Sequence, residues 1–425
     1  MKLHIEKPIY GGAGLARHEG KAIFVPYTLP GELVRARIVQ DKGSYAEAEI
    51  ETIFEPSPHR VQPLCPYFGE CGGCHYQHAD YAQQIEIKKQ ILRETLERAK
   101  LREIQEIAAL SAEPLGYRNR IRLQIDGKTS ELCYKKRASH QNLAIDECPI
   151  AAPVLEKALR AISSAAQEWH LGRSFPEIEL FTNAEQEAIL LTLWAKGDSP
   201  GISREFDALW PRLQGQIPKI TGAAVFSTDQ GKRKSRLLAQ RGESSLIYGA
   251  AGREYRVSLG SFFQVNRFLI DPLIELVTHS HSGSLAWDLY AGVGLFSAAL
   301  AQHHDQIVAV EASPGSVRDL RYNLHGKKHR IIASSTLDFL RRAMREETPE
   351  LVVVDPPRAG LGKEVAGLLA AARPAHITYV SCDPATLSRD LKSLLDSGYH
   401  LSAIRMVDLF PQTFHLESVA TLSLK

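Results

Sequence analysis

The sequence predicts a multi-domain α/β protein: an OB-like β-barrel at the N-terminus, a central α+β region, and a C-terminal Rossmann-like domain. Three observations lead there. Short runs divided by glycine and proline turns fill residues 1 to 58. Three cysteines crowd between 65 and 74. From residue 286 onward, apolar runs suited to buried strands end in a glycine turn or an acidic residue. A chain of 425 residues is long for one core. The divisions expected are 1–58, 59–250 and 251–425.

In the first segment, Gly11-Gly12, Gly14, Pro30-Gly31 and Gly43 mark turns between strand-like runs. Residues 32 to 39 alternate apolar and charged side chains, with Arg35 and Arg37 on one face. Barrels of such strands often bind oligonucleotides, although a purely structural barrel would read the same way. Pro56-Ser57-Pro58 reads as a linker.

The second segment opens with Cys65, Cys71 and Cys74 in a tight, glycine-rich loop. The six cysteines of the chain, at 65, 71, 74, 133, 148 and 382, do not make an even disulfide framework. Metal ligation accounts for the three better. The leading fourth ligand is Cys148, which Pro149 follows; Cys133 is its rival. Zinc held by four thiolates prefers paired Cys-x2-Cys knuckles, and one such pair is present; the spacing is closer to iron–sulfur usage. A helix is expected from Asp80, with a solvated polar face bearing Lys88, Lys89, Arg93 and Arg98. On a strand, Arg118, Arg120 and Arg122 would share one face about 7 Å apart, near the spacing of phosphates along one nucleic-acid strand. With Lys135-Lys136-Arg137 and His140 they form an expected RNA-binding patch. Residues 231 to 236 read as an exposed basic loop.

The third segment carries the chemistry. Residues 286 to 296 form a strand, a turn around Gly292 and Gly294, and a helix start; Glu311 closes the next strand. Glycines let a ligand approach the backbone closely, and an acid at that strand end accepts ribose hydroxyls. The missing third glycine argues against a pyrophosphate, and suits an adenosyl ligand without phosphates such as S-adenosylmethionine. Asp355 ends another strand, before Pro356-Pro357-Arg358. Amino-group methyltransferases carry an aromatic after such prolines, and the arginine points to other chemistry. Cys382 lies just past the run Ile377-Thr378-Tyr379-Val380-Ser381, where open α/β sheets place reacting groups.

With these residues together, the chain resembles the RNA uracil-5 methyltransferases, and is similar to the 23S ribosomal RNA group with an N-terminal TRAM barrel and an iron–sulfur cluster. The likeness runs nearly end to end. It is strongest at residues 65–78, at Ser261-Phe262-Phe263-Gln264-Val265-Asn266, at 288–294 and at 355–417. It implies a class I methyltransferase domain and a [4Fe-4S] cluster on Cys65, Cys71, Cys74 and Cys148. It further implies S-adenosylmethionine contacts from Gln264, Tyr290, Glu311 and Asp355, with Cys382 as nucleophile and Glu417 as general base. Ala291 stands where many members have cysteine, and Leu295 and Ser335 replace polar residues that often touch the cofactor. The expected substrate is RNA, 23S rRNA ahead of tRNA, and the expected protein is a monomer.

Apolar content of 44% and charged content of 24% are ordinary for a soluble globular protein. The net charge of +2 does not oppose RNA binding, because basic residues need only gather on one face. The first nine residues carry charges where a signal peptide would be apolar, and no membrane-spanning run appears. Cysteines that make no even disulfide framework, and no signal, point to a reducing cytoplasm.

Overall fold

In the strand Leu33–Asp41, Val34 and Ala36 are buried while Arg35 and Arg37 face out, as the alternation predicts. This strand pairs with Lys2–His4 on one side and Tyr45–Glu55 on the other. Lys21–Pro26, Ala13–His18 and Lys7–Pro8 complete a six-stranded sheet. Leu3, Ile5, Ile23, Val25, Val34 and Ala36 fill its concave face. The expected barrel is present as a half-barrel sheet whose end strands, Lys2–His4 and Lys7–Pro8, are successive parts of one segment: between them Ile5 N–H donates to the Glu32 carbonyl at 2.9 Å and Glu6 N–H to the Leu15 carbonyl at 2.8 Å. The second strand is two residues long, and Pro8 has no N–H to offer a ladder. The structure, a computed structural model, describes residues 1–101, 106–197, 200–217, 219–228, 236–279, 281–343 and 347–425. Residues 231–235 of the basic loop lie outside these.

The helix Tyr81–Arg98 begins where Asp80 accepts the Gln83 N–H at 2.8 Å. Ile87, Ile91, Leu92 and Leu96 bury its apolar stripe. Lys88 departs from the expected solvated face. It is wholly buried, with Nζ 2.5 Å from Asp408 Oδ1 and 2.9 Å from the Phe410 carbonyl. The Tyr81 hydroxyl donates to the other oxygen of Asp408 at 2.9 Å. Lys88→Ala would leave a buried carboxylate without its cation, and should cost about 3–5 kcal/mol of stability. Urea unfolding of the variant measures this; a loss below about 1 kcal/mol would mean that water replaces the ammonium.

The central sheet has seven strands, and Arg120–Ile125, Glu177–Thr182 and Ile189–Lys196 lie side by side within it. Its apolar face packs against the helices Pro153–Ala166 and Pro200–Gln216 through residues such as Leu159, Ile162, Leu180, Leu193 and Phe206. The last sheet has eight strands. In spatial order they are His329–Ile332, His304–Val310, Gly283–Leu289, Leu351–Val354, His376–Ser381, Glu417–Leu424, Tyr399–Val407 and Ala108–Leu110. The first five run parallel, and Glu417–Leu424 enters antiparallel beside His376–Ser381. The chain works outward from Gly283–Leu289 on one side, then returns to Leu351–Val354 on the other. That reversal opens the crevice in which α/β sheets bind ligands. Ala108–Leu110 adds to this sheet from before residue 250, and Leu92, Leu96 and Ile107 join its core. Among the described residues no helix is long and apolar enough to cross a membrane.

Candidate active site

At the crevice, Gly283–Leu289 ends in Tyr290, which takes a left-handed backbone at φ 68°. Gly292 follows at φ 56°, and Gly294 at φ 91° starts the helix Leu295–Leu300. A Cβ at Gly294 would sit 2.7 Å from Leu320, so glycine is required there on both counts. Asp288, fully buried, anchors the turn by accepting the Ser297 hydroxyl, and burial pushes its carboxyl up to about 6. Glu311 ties the second strand end to the turn: it accepts the Gly292 N–H at 2.9 Å and the Ser313 N–H at 2.6 Å. Tyr290 is raised by burial while a hydrogen bond with Thr336 opposes the shift. Beside Gly292, an added Cβ would meet nothing within 4 Å, so the space over the turn is open.

Asp355 stands one strand along, at the end of Leu351–Val354. Gln264 Nε2 lies 3.5 Å from Asp355 Oδ2. Burial and the charge of Asp288 push the Asp355 carboxyl up to about 7. The loop bearing Gln264 is held from the central region: Asn119 Nδ2 donates to the Gln264 carbonyl at 2.9 Å, and Asn119 N–H to Val265 at 2.9 Å.

Cys382 follows the next strand, His376–Ser381. Asp383 then caps the helix Pro384–Asp396 by accepting the N–H groups of Ala385 and Thr386 at 3.0 and 2.9 Å. Glu417 opens the antiparallel neighbour, and Ser381 is paired with Ser418. One step further along that register, Cys382 and Glu417 come next to each other at the mouth of the crevice. Burial pushes the thiol up to about 11; Glu417 and Asp355 add to this while Arg358 opposes it. Glu417 is held well above the ordinary carboxylate range, first by burial and then by Asp355, again with Arg358 opposing. The arginine whose place in the Asp-Pro-Pro-Arg run looked unusual is thus the cation facing both groups. Its guanidinium is 3.3 Å from His415 Nδ1.

One further group was not legible in the sequence as part of this site. Tyr10, from the N-terminal sheet, packs edge-on to Phe414 with ring centroids 5.4 Å apart. Its only sequence signal is the Gly11-Gly12 turn that follows it.

Cys65, Cys71, Cys74 and Cys148 line one cavity of about 170 Å³ with Tyr134 and Arg118. Cys133 is not among them; it is buried, with its thiol 3.4 Å from the Glu131 carbonyl. Among the described residues, no three His, Cys, Asp or Glu side chains make a group that could hold a single metal ion. The cysteine loop also braces the segment that leads into Glu417. The N–H groups of His75 and Tyr76 both donate to the Gln412 carbonyl, at 2.7 and 3.0 Å, five residues before Glu417.

Arg118, Arg120 and Arg122 do share one face, alternating with buried Asn119, Ile121 and Leu123, but they are not left free to grip phosphates. Arg118 turns to Tyr117 and the cysteine cavity. Arg120 pairs with Glu179 at 3.1 Å and Arg122 with Glu177, both on the neighbouring strand Glu177–Thr182. Arg122 also lies over Trp194, 3.8 Å from its ring centroid. The charge of Arg120 and Arg122 is paired within the sheet, while that of Arg118 lies at the cysteine cavity.

Comparison with known proteins agrees with this architecture. The family model for tRNA (Uracil-5-)-methyltransferase matches residues 80–348 and 344–425, and the TRAM domain model matches residues 1–50. An uncharacterized RNA methyltransferase of Aquifex aeolicus is 33% identical over 100% of this chain and 99% of its own. The 23S rRNA (uracil(1939)-C(5))-methyltransferase RlmD of Vibrio parahaemolyticus is 32% identical over 98% of this chain and 94% of its own. In fold, the chain is similar to the Pyrococcus abyssi tRNA (uracil-54, C5)-methyltransferase solved with S-adenosyl-L-homocysteine. That likeness has a TM-score of 0.78 at 23% identity, covering 99% of this chain and 100% of the other. The chain therefore belongs to the S-adenosylmethionine-dependent RNA uracil-5 methyltransferase family, with a TRAM domain at its N-terminal end.

Proposed function

We propose that the chain methylates C5 of a uridine in 23S rRNA, with Cys382 as nucleophile and Glu417 as the base. The observation that carries this reading is the pairing of the two side chains at adjacent strand ends, beside the crevice floored by Asp355 and Gln264. Uracil C5 is too weak a nucleophile to take a methyl group unaided. Cys382 thiolate adds to C6, forming an Sγ–C6 bond and giving C5 enolate character. When bound, S-adenosylmethionine would supply an electrophilic methyl group and leave as S-adenosylhomocysteine, so that C5 carries both the new methyl group and its original proton. Glu417 then takes the C5 proton, the Sγ–C6 bond breaks, and the C5–C6 double bond returns. Gln264 and Asp355 orient the pyrimidine or the methyl donor. Tyr290 and Glu311, with the open space over Gly292, would hold the adenosyl ligand. The target base must leave its stack at a cost of a few kcal/mol, which contacts from the N-terminal and central regions offset.

The rRNA target rests on the relatives of known substrate that match over nearly the whole chain. Tritiated S-adenosylmethionine offered with 23S rRNA and with tRNA, both lacking 5-methyluridine, tests it. Label in 23S rRNA alone is expected. Label in tRNA alone would move the chain to the other substrate, and label in neither would end the reading. Residues 1–58, 59–250 and 251–425 divide the work into RNA capture, cluster support and methyl transfer. Free cysteines throughout suit a reducing cytoplasm.

Cys65, Cys71, Cys74 and Cys148 would hold a [4Fe-4S] cluster. Zinc would need four sulfurs at about 2.3 Å from one point, whereas a cubane carries an iron at each ligand and accepts a wider ring around a cavity. Cys148→Ser should lower bound iron and sulfide in anaerobically purified protein, and Cys133→Ser should leave both unchanged. Stoichiometric zinc without sulfide would overturn the cluster.

A further inference from the structure

The N-terminal sheet is expected to hold RNA, and one of its turns packs against the segment that leads into Glu417. Ile9–Gly12 is the turn between Lys7–Pro8 and Ala13–His18, closed by Ile9 N–H to the Ala13 carbonyl at 2.9 Å. Gly11 and Gly12 both take left-handed backbone, at φ 106° and 89°. A Cβ on Gly12 would stand 2.9 Å from His75, so the turn is pressed against the cysteine loop. This pressing sends Tyr10 inward. Its ring meets Phe414 edge-on, and Phe414 meets His75 and His415 at 4.7 and 4.3 Å. Phe414 lies three residues before Glu417.

Tyr10 touches the apolar cores on both sides of this junction but is itself only partly buried. Among the described residues its hydroxyl has no hydrogen-bond partner. The charged groups it faces are Asp383, Arg358, Cys382 and Glu417. Those are the nucleophile, the base, the cation opposite both, and the cap residue next to the nucleophile. Burial, with Asp383, pushes the phenol up to about 12, so it remains a donor at neutral pH. Packing alone would explain a phenylalanine here. A hydroxyl close to the catalytic pair, with no protein acceptor among the described residues, is free to bond an acceptor that arrives with the substrate.

We propose that Tyr10, carried on the turn pressed against His75 and Phe414, lines the target-base pocket and donates a hydrogen bond to the flipped uridine. The N-terminal sheet then completes the active site as well as capturing RNA. The inference rests on the reading of Cys382 and Glu417 as the catalytic pair.

Tyr10→Phe keeps the ring and its packing, so the fold is unchanged and the hydroxyl alone is tested. Tyr10→Leu removes the ring edge too. Methylation of 23S rRNA and capture of RNA carrying 5-fluorouridine at the target are measured for both. The fluorine cannot leave as a proton, so the adduct with Cys382 accumulates. Tyr10→Phe should lower kcat/KM about tenfold, as loss of one hydrogen bond to a substrate oxygen does, and slow adduct formation by the same factor. Affinities for S-adenosylhomocysteine and for RNA lacking the target uridine should not change. Tyr10→Leu should lose more. Wild-type rates for Tyr10→Phe would overturn the proposal. So would a defect confined to general RNA affinity, which would return Tyr10 to a packing role. If wild type itself forms no adduct with Cys382, the catalytic-pair reading has failed, and Tyr10's role falls with it.

Discussion

Cys382→Ala should abolish methyl transfer, by at least about four orders of magnitude, while leaving RNA and S-adenosylhomocysteine binding intact. The size of the effect follows from the chemistry: without an Sγ–C6 bond the C5 carbon never becomes reactive, and no neighbouring group can substitute. The fold should tolerate the change, because the half-buried thiol follows its strand and the Asp383 cap starts the helix without it. A pH signature accompanies this in wild type. With the thiol pushed up to about 11, the thiolate is a small fraction at neutral pH. Alkylation of Cys382 in the free protein should accelerate about tenfold per pH unit from 7 upward, and level near the thiol's own pKa. Mass spectrometry of the Cys382 peptide follows it. A rate already level at pH 7 would show a thiol activated before substrate arrives.

The parallel core and the crevice were legible because strands buried on both faces write continuous apolar runs, as in Leu351–Val354, and because the turn at Gly292 and Gly294 needs left-handed backbone. Other features depended on partners remote in sequence. Lys88 looked solvated because its carboxylate, Asp408, lies 320 residues on. Arg120 and Arg122 looked free because Glu179 and Glu177 become neighbours only when two strands pair. Alternation identified the N-terminal strands but is silent on how residues 2–8 divide between the two ends of the sheet. At the site, resemblance picked out Cys382 and Glu417, while their juxtaposition follows from the sheet register. Tyr10 could not be found that way: its role depends on where one sheet docks against a strap from the far end of the chain.

Glu417→Gln should separate the second half of the reaction from the first. The glutamine preserves the size of a side chain buried at the start of its strand, so addition of Cys382 and methylation at C5 can still proceed. The adduct then retains its C5 proton, because a neutral amide cannot accept it, and the Sγ–C6 bond cannot break. The elevated pKa suits the native role: burial and the charge of Asp355 make Glu417 a stronger base than an ordinary carboxylate once it is ionised. Loss of that base should lower turnover by about two to four orders of magnitude. RNA carrying tritiated methyl should therefore remain joined to the protein through denaturing electrophoresis in the Glu417→Gln variant. The band should be absent from Cys382→Ala, which cannot add, and scarce in wild type, which eliminates quickly. Near wild-type turnover, or a folded variant with no trapped band, would assign removal of the proton to another group.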